Sequence, residues 1–312
     1  MVFLVSGCGK KNVTIPDSYK LNSDIFGILH TEIDEIAESH LMSNGICVAN
    51  ENTENSEVDM SLAESAGLFD VTNCETIYAK NVHEKLYPAS TTKILTAYIT
   101  LKHGNLDDIA TVTKENITLE SGSSHCGLKE GDQISVKNLL YGLMLKSAND
   151  AANVLADYVS GSTEEFAKLM NEEALLLGAT NSHFVNAHGL HDEEHYTTVY
   201  DLYLIFQNAL KNETFREICG STSYTASFQN ASGENITVEW ENTMQYFTRN
   251  KIPPKDVTVL TEKTGTTTKA LSCLALLSEN KAGEEFISII LKSQDRGVLY
   301  DEMNDLLEEI NK

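Results

Sequence analysis

The sequence predicts an α/β (α+β) fold, an antiparallel sheet flanked by helices, its two halves split by an inserted all-helical subdomain. Three observations predict it. Residues 66–81 (AGLFDVTNCETIYAKN) alternate with period two on either side of Asn73, as a hairpin does. From about 101 to 218 the apolar period turns helical. After Pro253-Pro254 it switches back, and VTVLTEKTG, ALSCLALLSENK and EEFISIILKS read as three strands joined by short polar turns. The expected organisation is a signal-like segment at 1–8, a helix and acidic loop within 9–60, and one domain over 61–312 with its insertion at about 101–230.

Taken in order, residues 22–42 carry Ile25, Ile28, Ile33, Ile36 and Leu41 at helical spacing, with Asn22 or Ser23 available as an N-cap. NENTENSEVD (50–59) is polar and acidic and reads as loop. After the hairpin, YPASTTKILTAYIT (87–100) passes from an extended tyrosine–proline approach into an apolar helix. Helical segments follow at 136–147, 149–161, 163–178 and 198–212, separated by glycines or turn residues. VLYDEMNDLLEEI (298–310) is a closing helix.

With 312 residues, 41% of them hydrophobic, the chain can bury a real core. Its net charge of −23, from 46 acids against 23 bases, argues against a nucleic-acid partner. No apolar run reaches the ~18 residues a spanning helix needs. MVFLVSGCGKKN resembles a shortened lipoprotein signal, with Cys8 in the position that takes the lipid; the membrane is expected as a partner only through that lipid. Six cysteines stand singly with no CxxC pair, which speaks against a zinc cage and for buried free thiols.

Ser90 and Lys93 stand one helical turn apart where the helix of 87–100 begins. Serine needs a base within hydrogen-bond reach to act as a nucleophile, and i and i+3 share a helix face. An unprotonated Lys93 would be that base, provided burial or a neighbouring cation lowers its pKa. The start of a helix also directs backbone N–H groups at an anion forming there. A second Ser-x-x-Lys, Ser278 to Lys281, sits in a polar turn and reads as a hairpin loop. The first match has company: Ser147-Ala148-Asn149 at a junction of helical segments, then Lys263-Thr264-Gly265 ending a β-patterned run. That ordered trio is the signature of penicillin-binding proteins and serine β-lactamases.

YPASTTKILTAYITL, GLKEGDQISVKNLLYGLMLKSANDAANVLADYVSGS, LGATNSHFVNAHGL and LTEKTGTT together resemble the D-alanyl-D-alanine carboxypeptidases, low-molecular-mass penicillin-binding proteins, over about 60–295. The resemblance implies a β-lactamase/transpeptidase-like fold and acyl transfer from a peptidoglycan stem peptide ending in D-Ala-D-Ala, outside the cytoplasmic membrane. It implies Ser90 as nucleophile, Lys93 as base, Ser147 as relay to the leaving amine and Asn149 as the residue orienting lysine and substrate. Lys263 and Thr264 would hold the substrate carboxylate, Gly265 would leave the strand edge clear, and Ser90 and Thr266 would give the oxyanion-hole N–H groups. β-Lactams would acylate Ser90, and neither cofactor nor metal is expected. Arg296 either adds a charge for the carboxylate or is a solvated loop arginine. Many members carry a further β-rich domain and an anchor helix, and residues 22–42 have no counterpart among them.

Three other readings bear on the same residues. A β-lactamase needs a glutamate in an ExxLN loop, and EEFAKLMN (164–171) lacks that spacing and is helix-periodic. His191 to His195 matches H-x-x-E-H, which binds zinc only on a helix; Gly189 before it and Thr198 after it, an N-cap with Asp201 three residues on, put it in a loop. His188 in AHGL reads as structural. A wall-binding or β-lactam-sensing protein without turnover would keep the fold, but here all the catalytic side chains are present.

Overall fold

The computed structural model describes residues 45–53 and 58–312; Cys8, the segment 22–42 and part of the loop 50–59 lie outside the described residues. The expected hairpin is β1 (Ala63–Asp70) and β2 (Glu75–Lys80). Its turn is fixed by Asp70, whose carboxylate accepts from the Thr72 and Asn73 N–H groups and from Asn73 Nδ2 at 2.8–2.9 Å. The three C-terminal strands are β7 (Val257–Thr267), β8 (Leu271–Asn280) and β9 (Glu285–Ser293). All five form one antiparallel sheet in the order β2-β1-β9-β8-β7. β1 pairs with β9, Leu68 opposite Ser288, so the two ends of the domain close one sheet around everything inserted between them. β7 is left at the edge.

The near-continuous apolar text of β8 follows from cover on both faces. Leu274 and Leu276 pack with Tyr300, Met303 and Leu307 of the C-terminal helix, α7 (Arg296–Glu308). Cys273, Ala275 and Leu277 face the larger core. Burying each such Leu contributes about 1.5–3 kcal/mol.

That larger core is built round α1 (Lys93–His103), whose Ile94, Leu95, Ala97 and Ile99 are all buried. Around it stand α2 (Val136–Leu145), α3 (Asn149–Ser160), α4 (Thr163–Leu176), α5 (Val199–Ala209) and the short α6 (Glu213–Cys219). Ser135, Ser162, Thr198, Asn212 and Asp295 cap α2, α4, α5, α6 and α7 by accepting first-turn N–H groups. The cap at Thr198 is the one expected from its spacing to Asp201.

The insertion is not all-helical. It carries β3 (Ile109–Thr111) and β4 (Gln133–Ser135), and β4 pairs with a hairpin of β5 (Ser223–Gln229) and β6 (Asn235–Glu241) in a second sheet, β3-β4-β5-β6. Strands of three residues are too short to show a period. β6 is half-solvated, its inward Ile236, Val238 and Trp240 alternating with outward polar residues. α6 falls within the helical reading of about 101–218, though outside its four segments.

Candidate active site

Ser90 lies in a 3₁₀ turn, Ala89–Thr92, that runs directly into α1. Ala89, just before it, has φ +48°, a strained setting of the kind that gathers at active sites. The strain is matched by Gly189 (φ +86°), packed so close that a Cβ there would lie 1.9 Å from the Ala89 carbonyl oxygen. Lys93 is fully buried, and its Nζ is 3.0 Å from Ser90 Oγ. The same nitrogen donates to Asn149 Oδ1 at 2.8 Å and to the His188 carbonyl at 2.7 Å. A neutral amine has two hydrogens and one lone pair. With both hydrogens taken by acceptors, the lone pair is left for the Ser90 hydroxyl. Burial pulls the Lys93 amine well below its ordinary value and Lys263 adds to this, while Asp150 opposes.

Asn149 opens α3 and is held from both sides: its N–H donates to the Ser124 carbonyl at 2.8 Å. Ser147 has φ +54°, which turns its hydroxyl to accept from Lys263 Nζ at 3.0 Å. Asp150, buried behind them, accepts from the Cys126, Gly127 and Leu128 N–H groups at 3.0–3.2 Å and so ties down the loop that carries Ser124 and His125.

β7 brings the third motif. Lys263 is buried and also donates to the Thr264 carbonyl at 2.6 Å; burial pushes its amine down to about 7, with Cys219 and Glu262 pulling upward. A Cβ on Gly265 would lie 2.8 Å from both the Pro88 carbonyl oxygen and the Ser90 nitrogen. Its small size is therefore needed for the strand to pass Ser90, a different reason from the one the sequence suggests. Arg296, the first residue of α7, donates to the Thr243 carbonyl at 2.9 Å. Ser90, Ser147, Thr264, Gly265, Thr266 and Arg296 all line one cleft of about 490 Å³, together with Ser124 and His125. Arg296 is thus a cleft residue. All eight expected site residues lie in or directly behind this cleft.

A second hollow of similar volume is bordered by Asn116, Asp157, Glu164 and His188, and holds none of the motif side chains. In the H-x-x-E-H stretch, His191 stacks edge-on to Tyr87. His195 is buried, its Nε2 2.8 Å from Thr92 Oγ1 and its Nδ1 accepting from the Val185 N–H. The stretch is turn, not helix. EEFAKLMN is part of α4, and Lys281 sits in the β8–β9 turn. Cys47, Cys219 and Cys273 are buried free thiols, with Cys74 and Cys126 partly so. The His188 carbonyl, Asp150 and the Thr92–His195 pair are not among the expected site groups; Asp150 adjoins the Ser-x-Asn motif and His195 ends the H-x-x-E-H stretch, whereas a carbonyl leaves no side-chain signal.

The family model described as D-alanyl-D-alanine carboxypeptidase, peptidase S11, matches residues 50–295. A D-alanyl-D-alanine carboxypeptidase of Streptomyces sp. strain K15 is 34% identical over 70% of this chain and 76% of its own. DacF of Bacillus subtilis is 35% identical over 55% of this chain, a match spanning only 44% of that longer protein. The crystal structure of the Streptomyces K15 DD-transpeptidase superposes with a TM-score of 0.75 at 30% identity, covering 81% of this chain and 98% of that one. On this evidence of sequence, fold and motif geometry, the chain belongs to the D-alanyl-D-alanine carboxypeptidase family of serine peptidases.

Proposed function

We propose that the protein is a penicillin-sensitive serine D,D-carboxypeptidase that removes the terminal D-alanine from peptidoglycan stem peptides. The observation that carries this reading is the Lys93 amine, buried and bonded to Asn149 Oδ1 and the His188 carbonyl, with Ser90 Oγ at 3.0 Å. Lys93 takes the hydroxyl proton as Ser90 Oγ attacks the carbonyl carbon between the two D-alanines. The N–H groups of Ser90 and Thr266 receive the oxyanion, each worth about 3–4 kcal/mol. The C–N bond then breaks, and the proton held by Lys93 is relayed through Ser147 to the leaving amine, which leaves Lys93 neutral again. Water attacks the Ser90 ester, giving its proton to Lys93, which hands it to Ser90 Oγ as the shortened stem is released. Lys263, Thr264 and Arg296 hold the terminal carboxylate, and Asn149 orients Lys93 and substrate. β-Lactams acylate the same hydroxyl and deacylate slowly. The site of action is extracytoplasmic, at the outer face of the membrane or in the wall, with Cys8 as the lipid attachment.

The test is D-alanine release from diacetyl-Lys-D-Ala-D-Ala, wild type against Ser90→Ala, with penicillin labelling in parallel. Release that disappears in the variant supports the reading. Penicillin labelling of Ser90 without release from the wild type would turn it to a sensor or a transpeptidase.

A further inference from the structure

The carboxylate end of the cleft rests on a layer that the acyl-transfer steps do not use. Successive side chains of β7 point to opposite faces of the sheet. Lys263 reaches Ser147, while Glu262 enters the layer of α7, where it is 2% exposed. Its partner across β8 is Leu276. The Tyr300 hydroxyl donates to Glu262 Oε1, and the Tyr246 N–H donates to Oε2 at 3.3 Å. The Gln245 N–H donates to the Tyr300 oxygen at 3.1 Å, closing the triangle. The same turn then reaches the cleft: Thr243 accepts from Arg296, and Met244 Sδ accepts from Thr264 Oγ1 at 3.1 Å. Thr243, Thr264 and Arg296 are all cleft residues.

We propose that Glu262 is a positioning residue for the cleft: through Tyr300 and the turn 243–246 it sets Arg296 and Thr264, and it supplies the counter-charge for the cations, Lys263 and Arg296, that meet the substrate carboxylate. The inference rests on the assignment of those cations under the proposed function. A buried carboxyl in an apolar layer costs stability unless its charge is answered. The groups facing it are Tyr300 and Arg296 from α7 and Tyr246 from the turn, with Lys263 next to it on its own strand but on the opposite face; further out, Asp301 pairs with Lys251. Burial pushes Glu262 up to about 7, opposed first by the Tyr300 hydrogen bond and also by Arg296. On the Lys263 side, the upward pulls are Cys219 and Glu262. The Cys219 thiol is itself pushed up by burial and stays neutral, which leaves Glu262 as the negative charge. With Glu262 ionised, two cations, one internal anion and the substrate carboxylate sum to zero. Without it, the buried Lys263 has Arg296 as a like-charged neighbour with no internal anion to answer it, and gives up its proton more readily.

The experiment measures two quantities against pH: kcat and KM for D-alanine release, and the rate of Ser90 acylation by a fluorescent penicillin. It compares wild type with Glu262→Gln, and with Tyr300→Phe as a milder variant should Glu262→Gln fold poorly. For Glu262→Gln, KM is expected to rise about tenfold with kcat little changed, and the alkaline limb of both kcat/KM and acylation to move about one pH unit lower. Tyr300→Phe moves both in the same direction by less. Limbs that overlay the wild type in both variants, or a pH-independent fall in kcat alone, overturn the proposal. Should the wild type acylate without releasing D-alanine, the carboxypeptidase reading fails, and the acylation profiles still decide the role of Glu262.

Discussion

Lys93 Nζ and Ser90 Oγ stand 3.0 Å apart, and in its neutral form the amine spends its two hydrogens on Asn149 Oδ1 and the His188 carbonyl. The hydroxyl is thus the one neighbour left facing the lone pair. Ser90→Ala removes the attacking atom and leaves the amine's other two bonds in place. D-alanine release is expected to fall about a thousandfold or more, with the thermal midpoint little changed. Activity that survived in this variant would sink the assignment of the nucleophile.

The pH profile follows from the two lysines. Burial and the neighbouring Lys263 pull the Lys93 amine well below its ordinary value, and it loses basicity as pH falls through that lowered value. Lys263, pushed down to about 7, is an ammonium below that pH and a neutral amine above it. On the proposed role of Lys263, the carboxylate loses an anchor as pH climbs. kcat/KM is expected to be bell-shaped, its alkaline limb near 7 and carried by KM. A limb carried by kcat with KM flat would contradict the assignment of Lys263.

Gly265 offers a steric test. An alanine methyl there would lie 2.8 Å from two backbone atoms, the Pro88 oxygen and the Ser90 nitrogen, and 3.0 Å from Ala89 Cβ. Backbone cannot swing aside as a side-chain tip can, so β7 must back away from the turn that holds Ser90. Gly265→Ala is expected to cost about 1–3 kcal/mol of stability and to slow acylation more than tenfold. Urea unfolding and penicillin-labelling rates read the two separately.

Why some of this was legible and some not is a matter of what side chains encode. Ser90, Lys93, Ser147, Asn149 and Lys263 are few, ordered and set in a helix start, a loop and a strand, so the trio could be read directly. The five-strand sheet was legible because β8 and β9 are covered on both faces and keep long apolar runs. The His188 carbonyl was not, because a backbone acceptor leaves no residue code. Glu262 was also hidden. In VTVLTEKTG it reads as the polar side of an alternating strand, whereas α7, far along the chain, seals that side. β3 and β4 are defined by partners, Ile109 opposite Ser135 and Gln133 opposite Gln229, rather than by any pattern of their own.

His195 links the loop of the H-x-x-E-H stretch to the turn that carries Ser90. Its Nδ1 accepts from the Val185 N–H at 3.1 Å, so the ring proton is on Nε2 and is donated to Thr92 Oγ1 at 2.8 Å. Protonating Nδ1 would break the first bond and bury a charge. Burial accordingly holds the ring down at about 3, against an ordinary 6.5, with Asp192 opposing. A depressed folded-state value gives stability that is complete above about pH 6.5 and drains away as pH falls toward about 3. His188, also held at about 3 and accepting from the Leu190 N–H, behaves in the same way. Each histidine should cost about 1.4 kcal/mol per pH unit across that window. In His195→Gln an amide can keep one of the two hydrogen bonds but cannot titrate. Urea unfolding between pH 7 and 4 is expected to show a slope shallower by about that amount in the variant. Parallel slopes for the two proteins would mean that His195 is already charged in the folded state, and the bond from Val185 would then have to be reassigned.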